Sequence, residues 1–246
     1  MLLRRITQHV KEQNWFAVLL DFLIVVIGVF IGIQVANWNE VQSTKVEIRH
    51  SLERLDKEVT QNVELVDLVL NYFVDGKDRM NLAREALNAC KYSAEAQAAL
   101  EQVMFDLIED VQPNFTTVAL DQLAGQGQYQ QLLSREFQQE FGTFAGRLNE
   151  EHEQLTSHYG NMYFHHINYH PDVNAFFSGE PGDNDEYEGW GFKLGKPFEE
   201  MCADSSFRNR FINTVGFYTA IDRRLKRLKL EAEKFQHSLA KELERF

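Results

Sequence analysis

The chain has 246 residues, 44% of them hydrophobic, and its 25 Lys and Arg against 37 Asp and Glu give a formal net charge of −12. This composition excludes a disordered chain and a disulfide-dense scaffold, and the negative charge disfavours nucleic-acid binding through bulk electrostatics. The mean hydropathy of −0.38 is typical of a soluble protein, but it conceals one strongly apolar segment.

That segment lies between Trp15 and Trp38, and Asp21 is the one ionisable residue within it. A helix of this length spans about 34 Å, which matches a hydrocarbon core of ~30 Å with its interfaces. The segment is too long for a cleaved signal peptide, and no small-x-small cleavage site follows it. We therefore predict a transmembrane helix over residues 15–38, with the lipid bilayer as a partner.

The charges beside the span predict its orientation. Slightly more basic residues precede it than follow it within fifteen residues: Arg4, Arg5 and Lys11 against Lys45 and Arg49. Because basic residues favour the cytoplasmic side, we expect residues 1–14 to form a cytoplasmic head and residues 39–246 an extracytoplasmic domain.

One face of the predicted span carries small and polar residues at helical spacing: Asp21, Val25, Gly28, Gly32, Val35 and Asn39. Gly28 and Gly32 have the spacing that lets two membrane helices approach closely, which predicts self-association. Glycine is also common in membrane helices generally. Asp21 is either a margin residue that reaches the headgroups or the ion-coupling carboxylate of a single-span subunit similar to those of proton-driven stators and TonB systems. The flanking sequence lacks the stator pattern, which favours the margin interpretation.

The span also carries a family resemblance. The chain reads R-R-I-x-x-H-V-K-x-Q-N-W from Arg4 and L-D-F-L-I-V-V-I-G-V-F-I-G-I-Q-V-A-N-W-N-E from Leu20. In this it resembles a family of bacterial single-pass inner-membrane proteins of unknown function with the signature V-I-G-x-x-I-G-I-Q-x-x-N-W-N. Thr116-Thr117-Val118, leading into L-D-Q-L-A-G-Q-G-Q-Y-Q-Q-L-L, is similar to a second family pattern of helix, glycine turn and helix. The resemblance implies an inner-membrane location and a mostly helical body, and it implies no activity. Together with the predicted orientation, an inner-membrane location makes the extracytoplasmic domain periplasmic.

After the span, residues with alternating four- and three-residue spacing define one helical stripe: Ile48, Leu52, Leu55, Val59, Asn62, Val66, Val69 and Phe73. The membrane helix is therefore predicted to continue outward, and its end is predicted at Asp75-Gly76. The stripe predicts either a coiled coil between copies, with Asn62 setting the register, or packing within one chain.

The rest of the chain is predicted to be helical. We expect helices over about 77–88, 93–108 and 134–163, a helical hairpin turning at 125–127, and a heptad-patterned helix from Phe211 to Phe246. The composition between them predicts an irregular loop over 171–198. Strand signals are nearly absent, so the fold class is all-α, a transmembrane helix continuing into an extracytoplasmic helical bundle with long heptad-patterned helices.

Three sets of side chains are candidates for chemistry. Cys90 and Cys202 could pair in an oxidising compartment, or remain buried thiols. His158, His165, His166 and His170 crowd together, and on a helix His166 and His170 would share a face that could bind a transition metal with Asp172. A solvated, aromatic-rich helix end and a pH-sensing cluster are the alternatives. A basic cluster over residues 223–229 could touch anionic headgroups or pair with the acidic body.

No phosphate-binding loop, nucleophile elbow or Ser/His/Asp order is recognisable, so we expect no enzyme activity and no cofactor. The leading hypothesis is a bitopic, oligomeric inner-membrane protein that serves an envelope complex as a structural, accessory or interaction module. The alternatives are a sensor-like ligand-binding bundle that signals through a partner and an ion-coupled subunit that uses Asp21.

Overall fold

The computed structural model describes residues 15–106, 113–177 and 190–246, so the predicted head 1–14 lies outside the described residues. The helices are α1 Trp15–Ala89, α2 Ala94–Asp106, α3 Val118–Gly125, α4 Gly127–Gln130, α5 Arg135–His165, α6 Phe198–Ala203 and α7 Ser205–Leu243. A 3-10 turn covers Ile167–Tyr169, and the strands are β1 Val173–Phe177 and β2 Trp190–Leu194. The prediction of a predominantly helical chain is confirmed.

The chain divides into two compact units, and each is described by itself. The first ends at Glu53 and also takes in Leu243–Phe246, while the second is Arg54–Glu242 and is called the body below. The apolar segment lies in the first unit. The disulfide, the histidines from His158 to His170 and the two strands all lie in the body.

The predicted helix end at Asp75-Gly76 is wrong, because α1 continues to Ala89. Phe73, Gly76, Ala83 and Leu87 are buried at helical spacing on both sides of the predicted end. Burial on one continuous face outweighs the ~1 kcal/mol that a mid-helix glycine costs. The separate helix predicted over 77–88 is therefore the last part of α1.

The core of the body lies between three long helices. Gln236 Nε2 donates to Thr60 Oγ1 at 2.9 Å and Lys229 Nζ to Asp67 Oδ1 at 2.6 Å, so α7 runs antiparallel to α1. From α7, the buried ring of Phe235 stacks on Phe144 of α5 with centroids 4.5 Å apart and planes 8° apart. The heptad pattern predicted for the C-terminal helix is therefore the core face of α7.

The irregular loop predicted over 171–198 is wrong at both ends. β1 and β2 pair antiparallel, with Val173 opposite Leu194 and Phe177 opposite Trp190. Aromatic residues in these short runs favour strands, whereas the Gly- and Asp-rich composition that predicted a loop comes from residues 178–189, outside the described part of the chain. β2 packs against α2, where the ring centroids of Trp190 and Phe105 are 5.1 Å apart.

Candidate functional site

The first candidate is the apolar segment of α1. All thirteen large apolar side chains from Leu19 to Val35 are exposed. An 18-residue window within α1 has a mean hydropathy of 2.7, and none of it is buried. One helix of the described chain is thus long and apolar enough to cross a membrane.

The predicted association stripe lies within this exposed segment. A Cβ added at Gly28 or Gly32 would meet nothing within 4 Å. Val25, Val35 and Asn39 are exposed, and Asp21 is half-exposed. The stripe therefore remains open for a second helix to pack on it.

In the body, the heptad stripe of α1, from Leu55 to Phe73, is buried by contacts within the chain. Asn62 Nδ2 donates to the Thr116 carbonyl at 2.8 Å, and the Thr116 N–H donates back to Asn62 Oδ1 at 3.0 Å. Leu55, Val59 and Val66 are buried beside it. A role for Asn62 in the register of an intermolecular coiled coil would require this pair of bonds to break, so the body favours packing within one chain.

Glu58, one turn before Asn62, is a buried residue that the sequence reasoning missed. Its two carboxylate oxygens accept the N–H groups of Ala119 at 2.7 Å and Leu120 at 3.1 Å, which caps the start of α3. Thr117 provides no cap, because its hydroxyl donates to Asp121 instead. An acidic residue next to the apolar stripe was the available signal, but its partner lies 61 residues away.

Glu242 makes the equivalent contact at the other end of the chain. Its oxygens accept the N–H of Ser134 at 2.9 Å and the Ser134 hydroxyl at 2.6 Å. Ser134 Oγ in turn accepts the N–H of Phe137 and caps α5. Both buried carboxylates therefore hold helix starts in place through hydrogen bonds that satisfy otherwise unpaired N–H groups.

The histidine cluster is arranged differently from the prediction. α5 ends at His165, and His166 and His170 stand in extended backbone on either side of the 3-10 turn, so they do not share a helix face. Each Nδ1 accepts the backbone N–H two residues on, from Asn168 at 3.3 Å and Asp172 at 3.2 Å. Burial lowers the pKa of His166 to about 4, and its Nε2 has no hydrogen-bond partner among the described residues.

His170, Asp172 and Asp204 could offer ligand atoms to one ion, and His166 is not among them. However, the Nδ1 of His170 accepts the hydrogen bond of the Asp172 N–H, so the proton of the neutral ring is on Nε2, and this nitrogen faces Asp204 Oδ2 at 3.4 Å. Asp172 pairs with Lys196 at 2.8 Å. The arrangement suits a set of hydrogen bonds that joins the 3-10 turn, the β1–β2 pair and the start of α7 better than it suits a metal centre.

Cys90 and Cys202 form a disulfide, with Cα atoms 5.5 Å apart and a sequence separation of 112. Cys90 follows the last residue of α1, where its φ of 49° is left-handed. The Lys91 N–H bonds to the Ala86 carbonyl and the Cys90 N–H to that of Leu87. This is the Schellman ending that usually has glycine at the position of Cys90.

Much of the basic cluster pairs with acidic groups of the body. Arg224 Nη1 lies 2.9 Å from Glu151, which is fully buried, and Lys226 lies 2.8 Å from Asp222. The hydrogen bond to Asp67 raises the pKa of Lys229. These contacts favour the prediction that the basic cluster pairs with acidic residues of the body.

The chain matches no protein-family model, no curated protein and no solved structure. The family resemblance of the span therefore remains a prediction.

Proposed function

We propose that the protein is a single-pass inner-membrane protein whose periplasmic helical bundle serves an envelope complex as a structural or accessory module. The exposed apolar segment carries this proposal. Thirteen large apolar side chains in water would form a patch that soluble proteins rarely tolerate, whereas a bilayer solvates them without further contacts. The disulfide supports an extracytoplasmic body, because disulfides persist in oxidising compartments.

We further propose that copies associate through the span and not through a coiled coil of the body. The stripe around Gly28 and Gly32 is open, whereas the continuation of the heptad stripe in the body is buried within one chain. Only the first is available to a second copy without unfolding. Two close helices in the membrane gain packing along the glycines.

Membrane extraction and thiol labelling test the location and orientation. In native membranes, the chain should resist carbonate extraction, and a maleimide mass tag should label it only after reduction. Release by carbonate, or labelling of both cysteines without reductant, would contradict the proposal.

The association is tested by native mass measurement in nanodiscs and by crosslinking in membranes. The wild type should be an oligomer, and the double variant Gly28→Leu with Gly32→Leu should be mostly monomeric. Val26→Leu, on the opposite face of the helix, is the matched control and should leave the oligomer intact. A monomeric wild type would overturn the association. Co-purifying membrane proteins would identify the complex that the module serves, and a chain that reproducibly purifies alone would contradict the accessory role.

A further inference from the structure

A groove of about 230 Å³ lies in the body between the last part of α1 and the first half of α7. Phe73, Met80 and Tyr218 form its apolar lining, and the rings of Phe73 and Tyr218 meet edge to face with centroids 5.1 Å apart. Lys77 and Arg84 line it from α1. An apolar surface beside charged groups is a typical arrangement for a small-molecule site.

The charges in this groove are unbalanced. Asp222 lines it from α7, and its Oδ2 lies 2.8 Å from Lys226 Nζ but 3.8 Å from Lys77 Nζ. Lys77 is thus the weaker partner, and its side chain is 54% exposed. Arg84 makes no ion pair within the part of the chain that the structure describes. The charged lining of the groove is therefore two cations, Lys77 and Arg84, and one carboxylate whose nearer partner, Lys226, lies outside the lining, in a chain whose net charge is −12.

We propose that the groove binds a small amphipathic carboxylate, with its carboxylate between Lys77 and Arg84 and its apolar tail on Phe73, Met80 and Tyr218. The two cations are two helical turns apart, about 10.5 Å along the axis, and long side chains can bridge this separation toward one anion. A guanidinium also accepts a carboxylate with two parallel hydrogen bonds. The groove volume of about 230 Å³ limits the ligand to a small carboxylate, such as one with a single aromatic ring.

This site gives the sensor-like alternative a ligand class. It does not depend on membrane anchoring or self-association, so its failure would leave the proposed membrane module unaffected.

The experiment uses the full chain in nanodiscs of zwitterionic lipid, with 3-(4-fluorophenyl)propanoate as the probe and ¹⁹F NMR as the measurement. We expect saturable binding that weakens with salt, and weaker or no binding of the neutral amide of the same probe. Arg84→Gln and Lys77→Gln should each weaken binding about threefold, and the double variant about tenfold, as expected for partly exposed ion pairs.

Two further variants separate the site from general charge effects. Lys57→Gln removes an exposed cation of α1 outside the groove and should leave the affinity unchanged, while Thr219→Trp should fill the groove and abolish binding with both cations in place. Circular dichroism verifies that each variant folds. Absence of saturable binding, equal binding of the amide, or equal effects of Lys57→Gln and Arg84→Gln would each overturn the proposal.

Discussion

Two stretches of α1 treat their apolar side chains in opposite ways. From Leu19 to Val35 every large apolar side chain is exposed, whereas from Leu55 to Phe73 those at three- and four-residue spacing are buried. Among the residues that the structure describes, none buries the first stretch, whereas the second stretch forms part of a protein core. One continuous helix therefore carries both an exposed apolar segment and a core-forming stripe, and the proposed contact with a bilayer concerns the exposed segment alone.

The largest expected difference between the two environments concerns truncation of apolar side chains. Phe235→Ala removes a buried ring that stacks on Phe144 and should lower the free energy of unfolding of the body by about 3–5 kcal/mol. Ile27→Ala, in the exposed segment, should leave it unchanged. Denaturant unfolding followed by tryptophan fluorescence in nanodiscs measures both. Equal losses would mean that Ile27 packs against protein and not lipid.

The next largest expected effect is a pH dependence of the body's stability that comes from buried His166. Because the folded-state pKa of His166 is lowered to about 4 from an ordinary 6.5, the unfolded chain binds more protons between these values. The contribution of the neutral His166 ring to the free energy of unfolding should therefore be fully present above pH 6.5. It should be lost as the pH falls to 4, by about 3 kcal/mol in total.

His166→Asn removes this titration and keeps a side-chain acceptor for the Asn168 N–H. The variant should show a flatter stability profile between pH 4 and 6.5 in chemical unfolding. His237→Asn, at an exposed position of α7, should keep the wild-type profile. An unaltered profile in His166→Asn would show that His166 is not buried as a neutral ring.

A smaller effect is expected where a polar residue interrupts the buried stripe. Asn62→Ala leaves the N–H and carbonyl of Thr116 without their partner and should destabilise the body by about 2 kcal/mol. Gln61→Ala, its exposed neighbour, should have little effect. If Asn62→Ala instead dissociated an oligomer without lowering stability, the coiled-coil interpretation would be favoured again.

Part of the fold was predictable from the sequence alone. The exposed span and the stripes of α1 and α7 were predictable, because periodicity and length depend on local residues alone. The continuation of α1 through Gly76 was not, since burial from distant elements decided it. Glu58 and Glu242 accept hydrogen bonds from the starts of helices 61 and 108 residues away, and no local pattern specifies such partners. The two histidines fit a helix face by spacing, but the helix ends at His165.

The smallest expected effect concerns Cys90, the left-handed residue that directly follows α1, where glycine is the usual residue. In a Cys202→Ala background without the disulfide, Cys90→Gly should be more stable than Cys90→Ala by about 1 kcal/mol, because φ at this residue is 49°. At Asn88, inside the helix, the order should reverse, with alanine the more stable choice. Thermal unfolding of the four variants measures both differences. The same order at both positions would mean that residue 90 relaxes to a right-handed conformation once the disulfide is absent, and that the disulfide, not the Schellman hydrogen bonds, holds the end of α1.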